Sequence, residues 1–267
     1  MFIFNRFFSK SSGNRCIIVH VHIFKNAGST IDSILRKNFG RHFIDHREDR
    51  AMIEGGVEYL KKIILDNPKL KALSSHHIRF NPKEAEMEGI EILPIYFLRH
   101  PIERVLSVYK YEQKQSPSTP GSIQAKKLDL NDYVLWRMQP EVGGTIRNAN
   151  TRCCSGLVKE KFIVDELSLE SAKENLLNSP CVGIVDRFDD SIKLFENPLK
   201  ERFPSIQLTF SPQNVGQEMG KSLEERLFEL KNKLKESTWE ILHRENQFDL
   251  LLDSFARNLL EARLKSF

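Results

Sequence analysis

Short apolar runs and apolar residues at helical spacing alternate along this chain. Four runs, at residues 16–22, 70–77, 92–100 and 181–185, are the length of a strand, and most of them are rich in β-branched residues. Runs of this length, bounded by glycine, proline or polar residues, are typical of buried strands. The pattern therefore predicts four strands, most of them in the first two thirds of the chain.

Between and after these runs, apolar residues return every three or four positions, which is typical of amphipathic helices. The helices predicted in this way cover residues 29–39, 57–65, 101–115, 131–138 and 186–195 and most of the chain after Ser222. Ser222 with Glu225 forms a capping box, and Asn246 is predicted to cap a last helix. Residues 116–129, rich in Ser, Pro and Lys, are predicted to be a loop that could close over a substrate.

Strands that alternate with helices indicate an α/β fold, in which a central parallel sheet is flanked by helices and followed by a largely helical C-terminal third. We expect one domain over residues 16–267, preceded by an N-terminal arm, residues 1–15. That arm is aromatic and basic, which would suit weak association with a membrane surface, but no run approaches the roughly 20 apolar residues of a transmembrane helix. The sequence does not indicate an oligomeric state.

Composition narrows the possible partners. The net charge of +4 over 267 residues does not indicate nucleic-acid binding, although it permits an acidic ligand. The four cysteines show no CxxC spacing, so neither a disulfide framework nor a zinc site is predicted. We expect free thiols and no metal.

The loop after the first predicted strand, KNAGST, has the composition of an anion-binding loop. A glycine allows close backbone approach, amides at a helix start point outward, and lysine and hydroxyls add a charge and donors. The residues concerned are Lys25, Asn26, Ala27, Gly28, Ser29 and Thr30. This is not the Walker A pattern, in which the lysine follows the second glycine. On the loop alone, a capped helix start with an incidental lysine explains the pattern equally well.

A second segment, RHPIERVLSVY, offers another pair of anion-binding groups. Arg99 ends a predicted strand, and Ser107 lies about two turns into the following helix, on the same face as Arg104. Paired with a carboxylate, Arg99 would be structural instead. Three other groups are expected at the same edge of the sheet, because the carboxyl ends of parallel strands meet there: the KNAGST loop, residues 76–77, and residues 186–187.

Together, the two segments resemble the sulfotransferase family, most closely the branch of the heparan sulfate 2-O-sulfotransferases and bacterial carbohydrate-type members. The resemblance implies a P-loop-like sheet and the donor 3′-phosphoadenosine-5′-phosphosulfate. It places the 5′-phosphosulfate of this donor at KNAGST and the 3′-phosphate at Arg99 and Ser107. Weaker likenesses occur at residues 147–156, 182–195 and 248–260. The chain departs from the family where Asn26 replaces a commoner Thr or Ser and where His100 replaces Asp or Asn.

The implied reaction moves a sulfuryl group roughly in line to a hydroxyl acceptor, which we expect to be a carbohydrate. Lys25 and the loop amides would stabilise the charge on the leaving phosphate oxygen without a metal. The resemblance assigns the general base to His77, with His76 as the alternative. Because adjacent residues on a strand point to opposite sides, one of the two histidines is expected to be buried structure.

Two other functions remain open at this point. A P-loop small-molecule kinase would need Mg²⁺ and an acidic ligand for it, and the position of the lysine disfavours this reading. A non-catalytic nucleotide-binding module would bind the donor without turnover. We expect a cytoplasmic, bacterial protein, because the first predicted strand begins close to the start of the chain.

Overall fold

A parallel sheet of five strands forms the centre of the part of the chain that the structure, a computed structural model, describes: residues 15–157, 163–210 and 220–266. The strands are β1 (Arg15–Val21), β2 (Phe43–His46), β3 (Ala72–Ser75), β4 (Ile90–Leu98) and β5 (Cys181–Ile184). The four predicted strands are thus confirmed within a few residues at each end, and β2 is an additional short strand. The predicted arm lies almost entirely outside the described residues.

The order of the strands in the sheet is β2-β3-β1-β4-β5, and every neighbouring pair is parallel. Val21 at the end of β1 pairs with Ser75 of β3, and Leu98 of β4 pairs with Ile184 of β5. The carboxyl ends of β1, β3, β4 and β5 therefore lie at one edge. After β1 the chain continues to β2, in one direction across the sheet, and after β4 it continues to β5, in the opposite direction. This reversal opens a crevice between the carboxyl ends of β1 and β4.

Eleven helices of the described residues surround this sheet and build the C-terminal third. They are α1 (Gly28–Phe39), α2 (Asp49–Asp66), α3 (Pro101–Lys114), α4 (Pro120–Lys127), α5 (Leu130–Arg137), α6 (Ala149–Cys154), α7 (Glu166–Asn178), α8 (Phe188–Arg202), α9 (Leu223–Lys231), α10 (Glu236–Arg244) and α11 (Gln247–Lys265). The α/β fold and its helical final part are confirmed. No helix in these described ranges is both long enough and apolar enough to cross a membrane.

The core follows from the β-branched composition of the inner strands. Ile17, Ile18 and Val19 of β1 are completely buried, because helices cover both faces of the sheet. The four cysteines are free and buried, as expected from the sequence. At the carboxyl edge the apolar run of β1 gives way to polar residues, and the chain there is irregular.

Two details differ from the sequence predictions. The predicted loop at residues 116–129 contains α4, which begins with a capping box between Thr119 and Ser122 and packs on α3. Proline at the first position of a helix is favourable, so the proline content that indicated a loop also fits a helix start. Asn246 precedes α11, but its side chain bonds the amide of Asn148 and the carbonyl of Leu242 instead of capping α11.

Candidate functional site

The loop between β1 and α1 presents unpaired backbone amides. Lys25 and Ala27 have positive φ angles of 66° and 60°, a conformation that non-glycine residues seldom adopt. Within the described residues, the amides of Ala27, Gly28 and Ser29 donate no hydrogen bond. Strained backbone whose amides point outward at a helix start forms a concave anion site. The predicted anion-binding loop therefore has the required backbone geometry.

Lys25 is the cation of this loop, and no carboxylate among the described residues pairs with it. Its Nζ lies 4.4 Å from the ring centroid of Tyr111. Burial, followed by the charges of Arg99 and Lys114, lowers its pKa. A desolvated ammonium close to other cations favours an anionic ligand.

The hydroxyls of Ser29 and Thr30 are also available, because neither makes a hydrogen bond within the described ranges. Ser29 is exposed and Thr30 is 5% exposed. Asn26 differs: it is buried, and its amide nitrogen donates to the carbonyl of Phe97 and to Oδ1 of Asn150. Asn26 thus fastens the loop to the end of β4 and to α6, and its side chain faces the protein interior.

Gly28 has a packing role that the sequence did not reveal. A Cβ at this position would lie 2.1 Å from the imidazole of His22, so only glycine fits against that ring at the start of α1. His20 and His22 both contact Asp32: Nδ1 of His20 lies 2.8 Å from Oδ1, and Nδ1 of His22 lies 2.8 Å from Oδ2. Burial raises the pKa of Asp32, but hydrogen bonds from His20 and His22 outweigh it and hold that pKa well below its ordinary value.

The His20, His22 and Asp32 cluster is the one group of possible metal ligands found in the described residues, with ligand atoms within 4.8 Å of one another. All three residues are buried, and the carboxylate already accepts a hydrogen bond from each imidazole. The contacts in place are those of a core network.

Arg99 lies beside the loop and is held by a carboxylate. Its Nε and Nη2 donate to Glu103 at 2.9 and 2.7 Å, and its Nη1 lies 3.4 Å from the carbonyl oxygen of Lys25. Arg226 of α9 contacts the same carboxylate at 3.0 Å. Two guanidinium groups thus share one carboxylate next to Lys25.

Ser107 is half-buried on α3, and its hydroxyl makes no hydrogen bond among the described residues. Arg104, predicted to share its helix face, is completely buried instead. Its guanidinium donates to the carbonyl oxygens of Phe24 and Thr145, so it holds the residue that directly precedes the loop.

One asparagine joins the two anion-binding segments. The side chain of Asn150 accepts from Asn26 and donates to the carbonyl of Arg99 at 3.0 Å. Asp249 of α11 in turn accepts from the amides of Asn150 and Thr151 at the start of α6. The segments 147–156 and 248–260 therefore hold the site together, a role that the sequence resemblance did not specify.

His76 and His77 follow β3 and are both half-buried. The expectation that one of them is buried structure was wrong, because β3 ends at Ser75 and strand alternation no longer applies. The Nδ1 of His76 donates to the carbonyl of His22 at 2.9 Å, and Nε2 of His77 lies 3.0 Å from Asp49. Burial, followed by the neighbouring His22, lowers the pKa of His76 to about 4, and burial also lowers the pKa of His77 although Asp49 opposes it.

Both histidines line a cleft of about 840 Å³. Phe24, which precedes Lys25, lines it as well, so the cleft begins directly beside the anion-binding loop. The opposite wall includes Trp136 of α5 and Thr119 at the start of α4. A substrate in this cleft would lie against both histidines, while an anion would lie at the loop.

The remaining strand-end group, residues 186–187, lies at the predicted edge but forms ion pairs with α11. Asp186 binds Arg257 through both carboxylate oxygens, at 2.7 and 2.8 Å, and Arg187 binds Glu261. These pairs fasten α11 to the end of β5, and neither Asp186 nor Arg187 is among the described residues that line the cleft.

The comparisons with known proteins agree with this geometry. A family model described as "Sulfotransferase family" matches residues 14–255. An uncharacterized protein of Archaeoglobus fulgidus is 35% identical over 243 residues, which cover 90% of this chain and 95% of the relative. The chain belongs to the sulfotransferase family.

Proposed function

We propose that this sulfotransferase moves the sulfuryl group of 3′-phosphoadenosine-5′-phosphosulfate to a hydroxyl group of an acceptor held in the cleft. One observation carries the proposal: unpaired amides, an uncompensated lysine and the Arg99 guanidinium converge at the start of α1. A donor with two separate anionic groups matches two adjoining cationic segments.

At the donor side, Lys25 and the amides of residues 27–29 would bind the 5′-phosphosulfate. Glu103 pairs with Arg99, as the structural alternative required, but the same contact also fixes the orientation of the guanidinium. Arg99 and Ser107, whose hydroxyl makes no hydrogen bond among the described residues, would then bind the 3′-phosphate. Negative charge grows on the leaving phosphate oxygen during transfer. Donors that are already oriented stabilise such charge without reorganisation, and removal of one typically costs about 3 to 4 kcal/mol of transition-state stabilisation.

At the acceptor side, a general base must take the proton of the attacking hydroxyl, and His77 is our assignment. Its Nε2 contacts Asp49, so the carboxylate can fix the tautomer and stabilise the imidazolium that forms. His76 remains the alternative. Its Nδ1 donates to a carbonyl, so the unprotonated Nε2 is left as an acceptor, but a pKa of about 4 makes it a weak base at neutral pH.

The acceptor supplies a hydroxyl, and the family resemblance points to a carbohydrate. The cleft is large enough for one sugar residue with its neighbours, and pockets of this size commonly hold drug-sized molecules. The aromatic ring of Trp136 in its wall is compatible with stacking on a sugar face.

Calorimetric titration with the desulfated donor, 3′-phosphoadenosine-5′-phosphate, tests the donor site. Wild type, Lys25→Ala and Arg99→Ala are compared with and without Mg²⁺, and ATP serves as competitor. We expect binding that does not depend on Mg²⁺ and weakens in both variants. Preference for Mg²⁺–ATP would overturn the proposal in favour of a kinase.

A turnover assay with His77→Ala and His76→Ala then tests the base. Loss of transfer in His77→Ala with donor affinity retained supports both catalysis and the assignment. If only His76→Ala abolishes transfer, the base is His76. Donor binding without transfer to any hydroxyl compound would favour a non-catalytic binding module.

A further inference from the structure

The cleft beside the histidines has a mainly apolar wall. Large apolar side chains that line it include Ile23, Phe24, Ile53, Trp136, Val142 and Leu157. Ile53 is 45% exposed, so an apolar side chain faces solvent where it could cover a ligand. Two aromatic residues can stack on sugars, but several aliphatic side chains give a hydroxyl-rich saccharide no hydrogen-bond partner.

Cations interrupt this apolar wall. Arg79, Arg104 and Arg152 all line the cleft. Arg79 makes no hydrogen bond or ion pair within the described residues, and its Nε is buried. The completely buried Arg104 bonds only carbonyl oxygens there, and its Nε has no partner. A partly buried guanidinium that has no carboxylate partner among the described residues, as at Arg79, is costly, and an anionic ligand would compensate it.

The described carboxylates that line the cleft do not pair with Arg79. Glu112 accepts from Arg137 and from the hydroxyl of Tyr133, both at 2.5 Å, so its charge is already balanced. Glu141 is exposed.

We infer that the acceptor is an anionic amphiphile: a hydroxyl-bearing molecule with an apolar body and a carboxylate, phosphate or sulfate group that binds Arg79. The apolar body would lie along Ile53 and Val142, the acceptor hydroxyl would face His77, and the anionic group would lie at Arg79. Arg79 follows His77 by two positions, and both residues line the cleft. The inference rests on the proposed function, because it concerns the acceptor of the same reaction, and it replaces the carbohydrate suggested by the family resemblance with an anionic amphiphile.

The test measures binding to protein loaded with 3′-phosphoadenosine-5′-phosphate, after binding of that nucleotide has been measured alone. The probes are ω-hydroxydodecanoate and lithocholate, which have different apolar bodies, their uncharged methyl esters, and a uronic acid disaccharide, which is anionic without an apolar body. We expect at least one acid to bind about tenfold or more tightly than its ester and more tightly than the disaccharide, as for a charge-assisted hydrogen bond.

Two variants locate the anionic group. Arg79→Gln should abolish the preference for the acid over the ester, while affinity for the ester stays the same. Arg41→Gln is the control variant. Arg41 is exposed in the connection before β2, at the opposite edge of the sheet, and its replacement removes the same charge but should change neither the affinity for the acid nor that for the ester. Because Arg79 has no partner to lose in the described structure, its variant is expected to fold.

The outcomes separate this inference from the proposed function. Equal affinity for acid and ester in wild type, or tightest binding of the disaccharide, overturns the amphiphilic acceptor even when the nucleotide binds and transfer occurs. A preference for the acid that persists in Arg79→Gln overturns the assigned anion position. If the nucleotide does not bind but the Arg79-dependent preference is present, the cleft assignment stands and the proposed function fails.

Discussion

Replacement of His76 by asparagine should flatten the dependence of folding stability on pH. Burial, and then the ring of His22 at a centroid distance of 3.9 Å, lower the pKa of His76 from 6.5 to about 4. In the unfolded chain the ring has an ordinary pKa. Between these two values the unfolded state therefore binds more protons than the folded state, so stability rises with pH across this window. Asparagine keeps a donor near the position of Nδ1 for the carbonyl of His22 but does not titrate.

The magnitude follows from the gap between 6.5 and about 4. At about 1.4 kcal/mol for each pH unit, this gap corresponds to about 3 kcal/mol of folding free energy, present above pH 6.5 and lost towards pH 4. Burial also lowers the pKa of His20, His77 and His100, so wild type should lose more than this amount over the same window. His76→Asn should remove about 3 kcal/mol of the total loss.

Urea unfolding followed by circular dichroism at intervals from pH 4 to 8 measures the effect in both proteins. Above pH 7 the ring is neutral in either state, so a difference there reports packing and can be subtracted. Parallel curves for wild type and His76→Asn below that pH would refute the reasoning, since His76 would then titrate alike in the folded and unfolded chains.

Four further predictions concern the loop and its supports. Lys25→Met should slow transfer about 100-fold or more, measured as release of 3′-phosphoadenosine-5′-phosphate, while the circular dichroism spectrum is unchanged. Gly28→Ala should lower the free energy of unfolding by about 1 to 3 kcal/mol, because its Cβ meets the His22 ring, and much less in a His22→Ala background. Ala27→Gly should raise that free energy by about 1 kcal/mol in urea titrations, because the left-handed conformation is strained for alanine. Asp249→Asn should lower the midpoint of thermal unfolding, at a cost of about 2 to 3 kcal/mol, because it accepts from two buried amides.

The local pattern of apolar residues predicted four of the five strands of the sheet. The run at residues 92–100 lies in β4, Ile90–Leu98, because a buried parallel strand needs continuous apolar residues on both faces. β2, Phe43–His46, escaped prediction because a four-residue edge strand with one buried side chain has no such run. The helix α4 escaped because the serine and proline content around Gly121 indicated a loop. In the structure this glycine allows close packing, since its Cβ would lie 2.2 Å from the Arg137 side chain.

The candidate site was predictable where its signal was local. A cation, a glycine and hydroxyls between a strand and a helix indicated an anion-binding loop, and the structure adds the unpaired amides. The positive φ angles of Lys25 and Ala27 were not predictable, because residue type indicates such angles only for glycine and a few polar residues. A pairing of Arg99 with a carboxylate was one of the two alternatives that its sequence context allowed. The second arginine on that carboxylate, Arg226, could not be predicted because it lies 123 positions from Glu103.

Contacts between distant segments explain why the rest of the site could not be predicted. Asn26 and Asn150 are separated by 124 positions, and no periodicity or motif connects them. The completely buried Arg104 shows the consequence most clearly. One of its nitrogens holds the carbonyl of Phe24 beside the anion-binding loop, and another holds Thr145 in the wall of the cleft. Because a rigid guanidinium fixes both carbonyls at once, the positions of the loop and of the cleft wall depend on the same side chain. A motif that assigns residues separately to the loop and to the cleft cannot express this dependence.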